Sequence, residues 1–177
     1  ERKAFLFENV VDSSGRKYDI PVLVGALAGS ADIYALGMGC PVEEIEDVWS
    51  KALASQIAPV EVKTGACQEI VITGDELKKP GGGLSRLPVP ISTPGFDIAP
   101  YTTYSHWVTK DPDSGVYNVG NYRGQLKSPT RMGVFAAYPQ HLGMHWERAR
   151  ELGQPLEAAL VIGAVPAVSF VANAKIP

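Results

Sequence analysis

The feature that most constrains the fold is a series of short β-rich segments with turn residues between them at spacings of roughly ten residues. The segments are YTTYSHWVT, GVYNVGNYRGQL and RMGVFAAYP, and a turn at residues 111–115 (DPDSG) separates the first from the second. β-Branched and aromatic residues favour strands, whereas Asp, Pro, Ser and Gly favour turns. The series therefore favours a barrel or a sandwich over a doubly wound parallel sheet.

The flanking sequence predicts further extended segments. From Pro59 the chain becomes alternating and β-branched (VEVKTGACQEIVITG), and LKKPGGGLSRLP is a loop by its proline and glycine content. After the series we expect one helix over about residues 143–152. The apolar stretch EAALVIGAVPAVSFVANA that follows is β-rich.

The first third of the chain predicts both strands and helices. Two apolar runs, KAFLFENV and DIPVLVGALAG, suit strands joined through a turn at residues 12–15. SADIYALGMG suits a short helix with Ser30 as N-cap and Gly37 or Gly39 near its end. In PVEEIEDVWSKALASQI, Pro41 suits a first turn and acidic residues crowd the positive end of a second helix. This third is therefore α/β in character.

Composition narrows the class of protein. The 177 residues, 45% of them hydrophobic, suffice for a substantial core without a metal or a disulfide. With 19 acidic and 16 basic residues and no basic cluster longer than Lys78–Lys79, we expect no nucleic-acid partner. Cys40 and Cys67 lack metal-ligand spacing, which predicts two buried or half-buried thiols. The chain has neither an apolar run of bilayer length nor a secretion signal at its start, so we expect a cytoplasmic protein with no membrane contact.

Two groupings of polar residues could carry chemistry. His141 and His145 lie four apart and could share a helix face with Glu147 nearby, but the spacing lacks the HExxH glutamate and Pro139 places His141 at the helix mouth. A hydrolase built on these three residues is one alternative. Such a hydrolase would need a metal-binding helix, and the HxxxH spacing alone is weak evidence for one.

The second grouping is more varied in its chemistry. Asn118 offers a neutral oxygen ligand, His141 an imidazole nitrogen and Arg123 a planar cation for a carboxylate or phosphate. Gly120 and Gly124 would let a flat ligand or a phosphate approach the backbone. On spacing alone, the opposing interpretation is favoured, in which the strand carries a surface arginine and the glycines mark bulges.

A long series of segments, in the same order as in a known family, favours the interpretation of these residues as a binding site. The segments PVLVGALAGSADIYALGMG, PVEVKTGACQEIVITGDEL, LPVPISTPGFDIAPYTTYSHWVTKDPDSGVYNVGNYRGQL, YPQHLGMHW and AALVIGAVPAVSFVANAKIP together resemble the UbiD family of reversible aromatic and acrylic acid decarboxylases. The most specific part is VTKDPDSGVYNVGNYR followed by PQH. The resemblance implies an α+β chain, with residues 1–58 in part of a small N-terminal α/β domain and residues 59–177 in a split β-barrel like that of flavin reductases.

The resemblance also implies a cofactor and a set of site residues. The cofactor would be prenylated FMN, held through its phosphate by a divalent ion, usually Mn²⁺, and by K⁺. Asn118 and His141 match two protein ligands of the divalent ion, and Gln140 matches a residue lining the substrate side of the ring. Arg123 matches the arginine that lies beside the flavin and pairs with catalytic glutamates. Gly120 stands where some relatives have a serine that contacts the cofactor.

The implied activity is reversible non-oxidative decarboxylation of an aromatic, heteroaromatic or α,β-unsaturated carboxylic acid, with CO2 as co-product. The implied partners are a flavin prenyltransferase that supplies the cofactor and further copies of the chain in a homo-oligomer. In the family, a third metal ligand and the catalytic glutamates would lie after the KIP-like stretch, so we expect this sequence to be the central, incomplete part of such an enzyme. An inactive flavin- or nucleotide-binding module or subunit is the alternative.

Overall fold

A computed structural model describes residues 3–27 and 29–176. The chain divides into two compact units, Glu1–Pro88 with Ser128–Thr130, and Val89–Lys127 with Arg131–Pro177. The domain boundary expected between residues 58 and 59 stays a prediction.

The first unit begins with a two-stranded antiparallel sheet. Strand β1 (Phe5–Phe7) pairs with β2 (Val22–Val24), and Leu6 lies opposite Leu23. Between them, the Asp12 carboxylate accepts hydrogen bonds from backbone N–H groups at 2.9 and 3.1 Å and holds a turn. Both predicted strands and the predicted turn are confirmed.

Two helices follow in the first unit. Helix α1 (Ala31–Met38) has Ser30 at its N-cap position and ends at Gly39, whose φ of 68° is readily adopted only by glycine. Helix α2 (Ile45–Ala54) is preceded by a 3₁₀ turn at Val42–Glu44, with Pro41 just before it. The predicted helices are confirmed, although the second begins as a 3₁₀ turn.

The stretch after α2 differs from its prediction. No strand forms between residues 59 and 73 of the described chain, where the regular structure is a 3₁₀ turn at Ala66–Gln68. Its β-branched side chains, Val60, Val62, Ile70 and Val71, are exposed. An alternating pattern becomes a strand only where a neighbouring strand pairs with it, and none pairs here among the described residues. The next segment is the expected loop, with 3₁₀ turns at Gly74–Lys78 and Gly83–Arg86.

The second unit contains two three-stranded sheets and two helices. One sheet has the order β3-β6-β7 and the other the order β5-β4-β8, with β4 antiparallel to both its neighbours. The elements are β3 (Tyr101–Thr102), β4 (Ser105–Lys110), β5 (Tyr117–Asn121), β6 (Gly124–Ser128), β7 (Arg131–Val134), α3 (His141–Glu151), β8 (Ala158–Ile162) and α4 (Pro166–Ala172). The α/β content with antiparallel sheets agrees with the predicted class.

Two details of this unit differ from the sequence-based expectation. GVYNVGNYRGQL forms two strands that belong to different sheets, with Tyr122 and Arg123 between them. The final apolar stretch forms β8 and then α4, where Pro166 occupies the first turn, so its prediction as β-rich is only half right. None of the helices in the described part of the chain is long and apolar enough to cross a bilayer.

Strand β4 lies between the two helices of the second unit. Successive side chains of a strand point to opposite faces, so His106 and Thr109 face different sides. Thr109 Oγ1 lies 2.9 Å from His145 Nδ1 on α3, and His106 Nε2 lies 3.0 Å from Ser169 Oγ on α4. Helix α3 therefore covers one face of the sheet and α4 the other.

The start of α3 packs against the preceding segment so closely that only glycine fits at one position. A Cβ on Gly143 would lie 2.5 Å from the Ala137 carbonyl oxygen. We expect Gly143→Ala to lower the free energy of unfolding, because overpacking costs about 1–3 kcal/mol and alanine returns about 1 kcal/mol of helix propensity. Urea denaturation measures the change.

Gly133→Ala is the matched control. A Cβ on Gly133 would meet the flexible end of Lys127, at 3.3 Å, and no backbone atom. This variant should unfold at nearly the reference urea concentration. Equal stability of the two variants would contradict the close packing described for Gly143.

Candidate functional site

A cleft of about 440 Å³ opens beside β5 in the second unit. Strand β5 is an edge of its sheet, paired only with β4. The cleft is lined by residues 118–122 on β5 and just after it, 139–141 at the start of α3, and 172–175 at the end of α4. Because these segments approach the edge strand from both sheet faces, the cleft surrounds that edge.

Two of the predicted ligand residues meet in this cleft. His141 is the first residue of α3, and its Nδ1 lies 2.7 Å from Oδ1 of Asn118 on β5. An amide oxygen only accepts, so Nδ1–H donates in this contact. Binding of a cation by both atoms would require the ring proton to be on Nε2, which leaves the Nδ1 lone pair beside the amide oxygen. The contact joins residues that are 23 positions apart in the sequence.

The Asn118–His141 pair fits a divalent cation of the hard or borderline kind. Amide oxygen and imidazole nitrogen are both accepted by Mn²⁺-like ions. Neighbouring ligand atoms of an octahedral ion at about 2.1 Å lie roughly 3 Å apart, so a slight widening of the pair would admit one. Among the described residues, no group of three or more His, Cys, Asp or Glu side chains is arranged so that it could hold a metal. The pair would therefore share the ion with other ligands.

Gln140 and Gly120 also line the cleft. A Cβ on Gly120 would lie 2.5 Å from the ring of Tyr122, so this ring occupies the space above the glycine. The Tyr122 hydroxyl accepts the backbone N–H of Leu142 at 3.5 Å and so connects the end of β5 to the start of α3. Glycine at position 120 accommodates this aromatic ring.

Gly124 does not have the role suggested for it. It is buried, and a Cβ there would collide with the Met132 sulfur and lie 2.9 Å from Thr102 Oγ1. Its space is filled by the neighbouring strands, and it is not among the cleft-lining residues. The expectation that a ligand approaches the backbone at Gly124 is therefore wrong.

Arg123 lies outside the lining of the cleft. It is exposed, in the connection between β5 and β6, and its guanidinium carbon lies 5.9 Å from the centroid of the Tyr101 ring. The structure thus brings Asn118, Gln140 and His141 together and places Arg123 at the junction of the two sheets.

His145 is buried behind His141 and does not form the metal helix considered above. The two rings stack with centroids 6.4 Å apart, but His145 Nδ1 lies 2.9 Å from Thr109 Oγ1 and its Nε2 lies 3.6 Å from Asp111 Oδ2. Burial lowers the pKa of His145, and the Asp111 carboxylate partly opposes that change. Both ring nitrogens therefore face protein groups.

Sequence reasoning missed several cleft residues, including Asn121, Asn173 and Lys175. Lys175 is the only permanently charged side chain among the described lining residues. Asn173 caps the end of α4, and its side-chain N–H donates to the Ser169 carbonyl at 2.9 Å. A helix prediction over residues 166–172 could have found them, because it would have placed the polar NAK sequence at a helix end.

The opposite face of the sheet carries a chain of hydrogen bonds that runs from the partly exposed Tyr104 to the buried Ser169 and His106. Tyr104 donates its hydroxyl hydrogen to Ser169 Oγ, and Ser169 also contacts His106 Nε2. Burial lowers the pKa of His106 below its ordinary value. Its Nδ1 and the Oδ1 of Asn121, directly opposite on β5, have no hydrogen-bond partner among the described residues.

Neither cysteine is among the described residues that line the cleft, and neither partner of the Arg148–Asp113 ion pair is among them. Cys40 is half-buried and Cys67 is exposed, and both are free, so the expected burial is wrong for Cys67. Arg148 on α3 binds Asp113 in the β4–β5 turn at 2.7 and 3.0 Å.

Comparison with known proteins places this fold and cleft in a family. Residues 58–177 match the model of the UbiD 3-octaprenyl-4-hydroxybenzoate carboxy-lyase Rift-related domain. An uncharacterized protein of Aquifex aeolicus is 33% identical over 99% of this chain and 38% of its own length.

Solved structures agree with the sequence match. An evolved dimeric form of the UbiD-class enzyme HmfF from Pelotomaculum thermopropionicum, in complex with prFMN, is 34% identical with a TM-score of 0.70 and covers 93% of this chain and 36% of its own. The apo 3,4-dihydroxybenzoic acid decarboxylase of Klebsiella pneumoniae is 27% identical with a TM-score of 0.75, over 93% of this chain and 33% of its own. The fold is that of UbiD-class decarboxylases.

The chain belongs to the UbiD family, as the resemblance predicted. It spans between 33% and 38% of the length of these three relatives.

The buried histidines predict how stability depends on pH. His106 and His145 have lowered pKa values in the folded state, so between those values and 6.5 the unfolded chain binds more protons. Stability should be complete above pH 6.5 and decline as the pH falls below it. Urea unfolding at a series of pH values from about 5 to 8 measures this slope.

His106→Gln tests the assignment to a particular residue. The variant keeps a polar atom near Ser169 and removes one titration, so its stability should fall less steeply below pH 6.5. The carboxylates with lowered pKa values, such as Asp111, titrate below 3.8 and do not interfere. A reference protein that gains stability as the pH falls from 6.5 would contradict the burial of both rings.

Proposed function

We propose that this protein takes part in reversible, non-oxidative decarboxylation of an aromatic, heteroaromatic or α,β-unsaturated carboxylic acid, with prenylated FMN as cofactor. The observation that carries the proposal is the 2.7 Å contact between Asn118 and His141 at one end of an open cleft, in a chain of the UbiD family. The prFMN complex of the HmfF relative supports the choice of cofactor. We further propose that the two sheets of the second unit belong to a split barrel.

Asn118 and His141 would hold the phosphate end of the cofactor through Mn²⁺ or a similar divalent ion, with K⁺ as a second cation. Both protein ligands are neutral, so they leave the positive charge of the ion to the phosphate oxygens. Lys175 on the same lining adds a further positive charge for an anionic group. Gln140, beside His141, would line the substrate side of the ring.

When bound, the prenylated flavin supplies the electron sink for the loss of carbon dioxide. Arg123 would orient the substrate carboxylate and stabilise the ionised form of an acid beside it. The residues of this chain thereby contribute binding, orientation and electrostatics. We also propose a flavin prenyltransferase as the source of the cofactor and a homo-oligomeric assembly, which the dimeric form of one relative supports.

The second candidate is a flavin-binding module without activity, and the position of Arg123 outside the cleft lining favours it. Reconstitution with prenylated FMN separates the two candidates. An active protein shows the modified-flavin spectrum and exchanges the substrate carboxylate with ¹³C-labelled bicarbonate. An inactive flavin-binding module shows the spectrum without the exchange. Absence of both the spectrum and the exchange would contradict both candidate functions.

The two proposed metal ligands predict a loss of Mn²⁺ affinity on substitution. Asn118→Ala and His141→Ala should each weaken Mn²⁺ binding at least tenfold, because each removes one of two protein ligands. Titration followed by electron paramagnetic resonance gives the affinity without flavin or substrate.

Asn173→Ala is the matched control for Asn118→Ala. It removes an amide from the same cleft, but that amide is bound to the Ser169 carbonyl. Its Mn²⁺ affinity should stay within about threefold of the reference. A weaker effect for Asn118→Ala than for Asn173→Ala would exclude the proposed ligand pair.

The role of Arg123 predicts a separation of turnover from binding. Arg123→Ala should abolish decarboxylation and carboxylate exchange while most of the flavin stays bound, because the side chain orients the substrate. Arg150→Ala is the control, since Arg150 is another exposed arginine near an aromatic ring, 5.1 Å from that of Trp146. Undiminished carbon dioxide release by Arg123→Ala would refute the assigned role.

A further inference from the structure

Helix α3 is joined to the β4–β5 turn by an ion pair between two side chains that are not among the described lining residues of the cleft. Arg148 Nε donates to Asp113 Oδ2 at 2.7 Å, and its Nη2 donates to Asp113 Oδ1 at 3.0 Å. This two-point geometry fixes the direction of both side chains, which a single hydrogen bond does not. A third nitrogen of Arg148 donates to Glu151 at 3.0 Å.

The ion pair is one of three contacts spaced along α3. His141, His145 and Arg148 lie at positions i, i+4 and i+7, which form one face of a helix. His141 contacts Asn118 on β5, and His145 contacts Thr109 on β4. Arg148 contacts the turn that joins the two strands. One face of the helix therefore contacts β5, β4 and the turn between them.

The turn that carries Asp113 is itself well defined. The Asp111 carboxylate accepts the N–H groups of Asp113 and Ser114 at 2.9 and 2.7 Å, and Gly115 has a φ of 73°. Strand β5 begins at Tyr117, immediately before Asn118. Asp113 and Asn118 are therefore joined by a short, hydrogen-bonded segment, and a displacement of Asp113 would also displace Asn118.

We propose that Arg148 and Asp113 are positioning residues that set the separation of Asn118 and His141, and thereby the affinity of the cleft for a divalent cation. The inference rests on the proposed function for its cation. Exposed ion pairs contribute little to global stability, and Arg148 and Asp113 keep 41% and 59% of their side-chain surface. Ligand geometry is sensitive to displacements below 1 Å, so the effect should appear in binding and not in unfolding.

The test uses Arg148→Ala, Asp113→Ala and the double variant of the purified protein. Each single variant should weaken Mn²⁺ binding by up to about fivefold, the most that the loss of an exposed ion pair provides. The double variant should be no weaker than either single variant, because both remove the same contact. Glu151→Gln, which removes the other partner of Arg148, should bind Mn²⁺ as the reference does.

A second measurement needs no metal. The ¹⁵N resonances of the His141 ring report whether Nδ1 donates to Asn118, and this signal should be lost or shifted in Arg148→Ala and kept in Glu151→Gln. Arg148→Lys should restore charge without two-point geometry, and so recover only part of the signal. If Arg148→Ala does not fold, the His141 signal of Arg148→Lys tests the positioning role instead.

The outcomes separate the two proposals. If the reference protein binds no Mn²⁺, the proposed metal site fails, and the His141 resonance in the Arg148 variants alone decides the positioning role. An unchanged resonance together with unchanged Mn²⁺ affinity in Arg148→Ala overturns that role. Additive losses in the double variant overturn it as well, because they would show two independent effects.

Discussion

The cleft depends on a core strand whose two faces both carry buried polar groups. Ser105, His106, Thr109 and Ser169 are the largest fully buried side chains in the described chain. A buried polar group is costly unless it is hydrogen-bonded, so His106 and His145 restrict which helix surface can lie against β4. Ser169 contacts one nitrogen of the His106 ring, and Thr109 contacts one nitrogen of the His145 ring. The positions of α3 and α4, and of the cleft residues at their ends, follow from these two contacts.

The sequence predicted those parts of the fold in which local pattern and pairing agree. Strands β4 and β5 alternate, the turn between them contains Asp, Pro and Gly, and the structure pairs them. The stretch after Pro59 alternates equally well and forms no strand, because pairing is a tertiary property that the local pattern does not contain. The same limit explains why GVYNVGNYRGQL, which the local pattern predicts as one strand-like segment, forms two strands on either side of Tyr122 and Arg123. Pro166 was a usable sign of a helix start, but the surrounding valines favoured a strand.

The candidate site was likewise predictable only in part from the sequence. The residue types of Asn118, His141 and Arg123 suggested a metal and an anion, but their meeting could be expected only from the family resemblance. The structure joins the first two and shows that Tyr122, which had no assigned role, fills the space above Gly120 and contacts α3. Lys175 and Asn173 were missed because their place in the cleft depends on where α4 ends. Local chemistry therefore identifies candidate ligands, and the helix ends decide which of them share a cleft.

The position of Arg123 outside the cleft lining is compatible with an orienting role, because its backbone and its charged group are held very differently. The carbonyl of the preceding residue, Tyr122, accepts Trp107 Nε1–H at 3.0 Å and the Ser105 hydroxyl at 3.3 Å, so the main chain is fixed at the junction of the sheets. The guanidinium is exposed and contacts only the face of Tyr101 among the partners described for it, a weak attraction at a solvated site. A carboxylate offers it charge-assisted hydrogen bonds, which are stronger. In the proposed orienting role, a change of side-chain rotamer would therefore move the guanidinium from Tyr101 to a carboxylate.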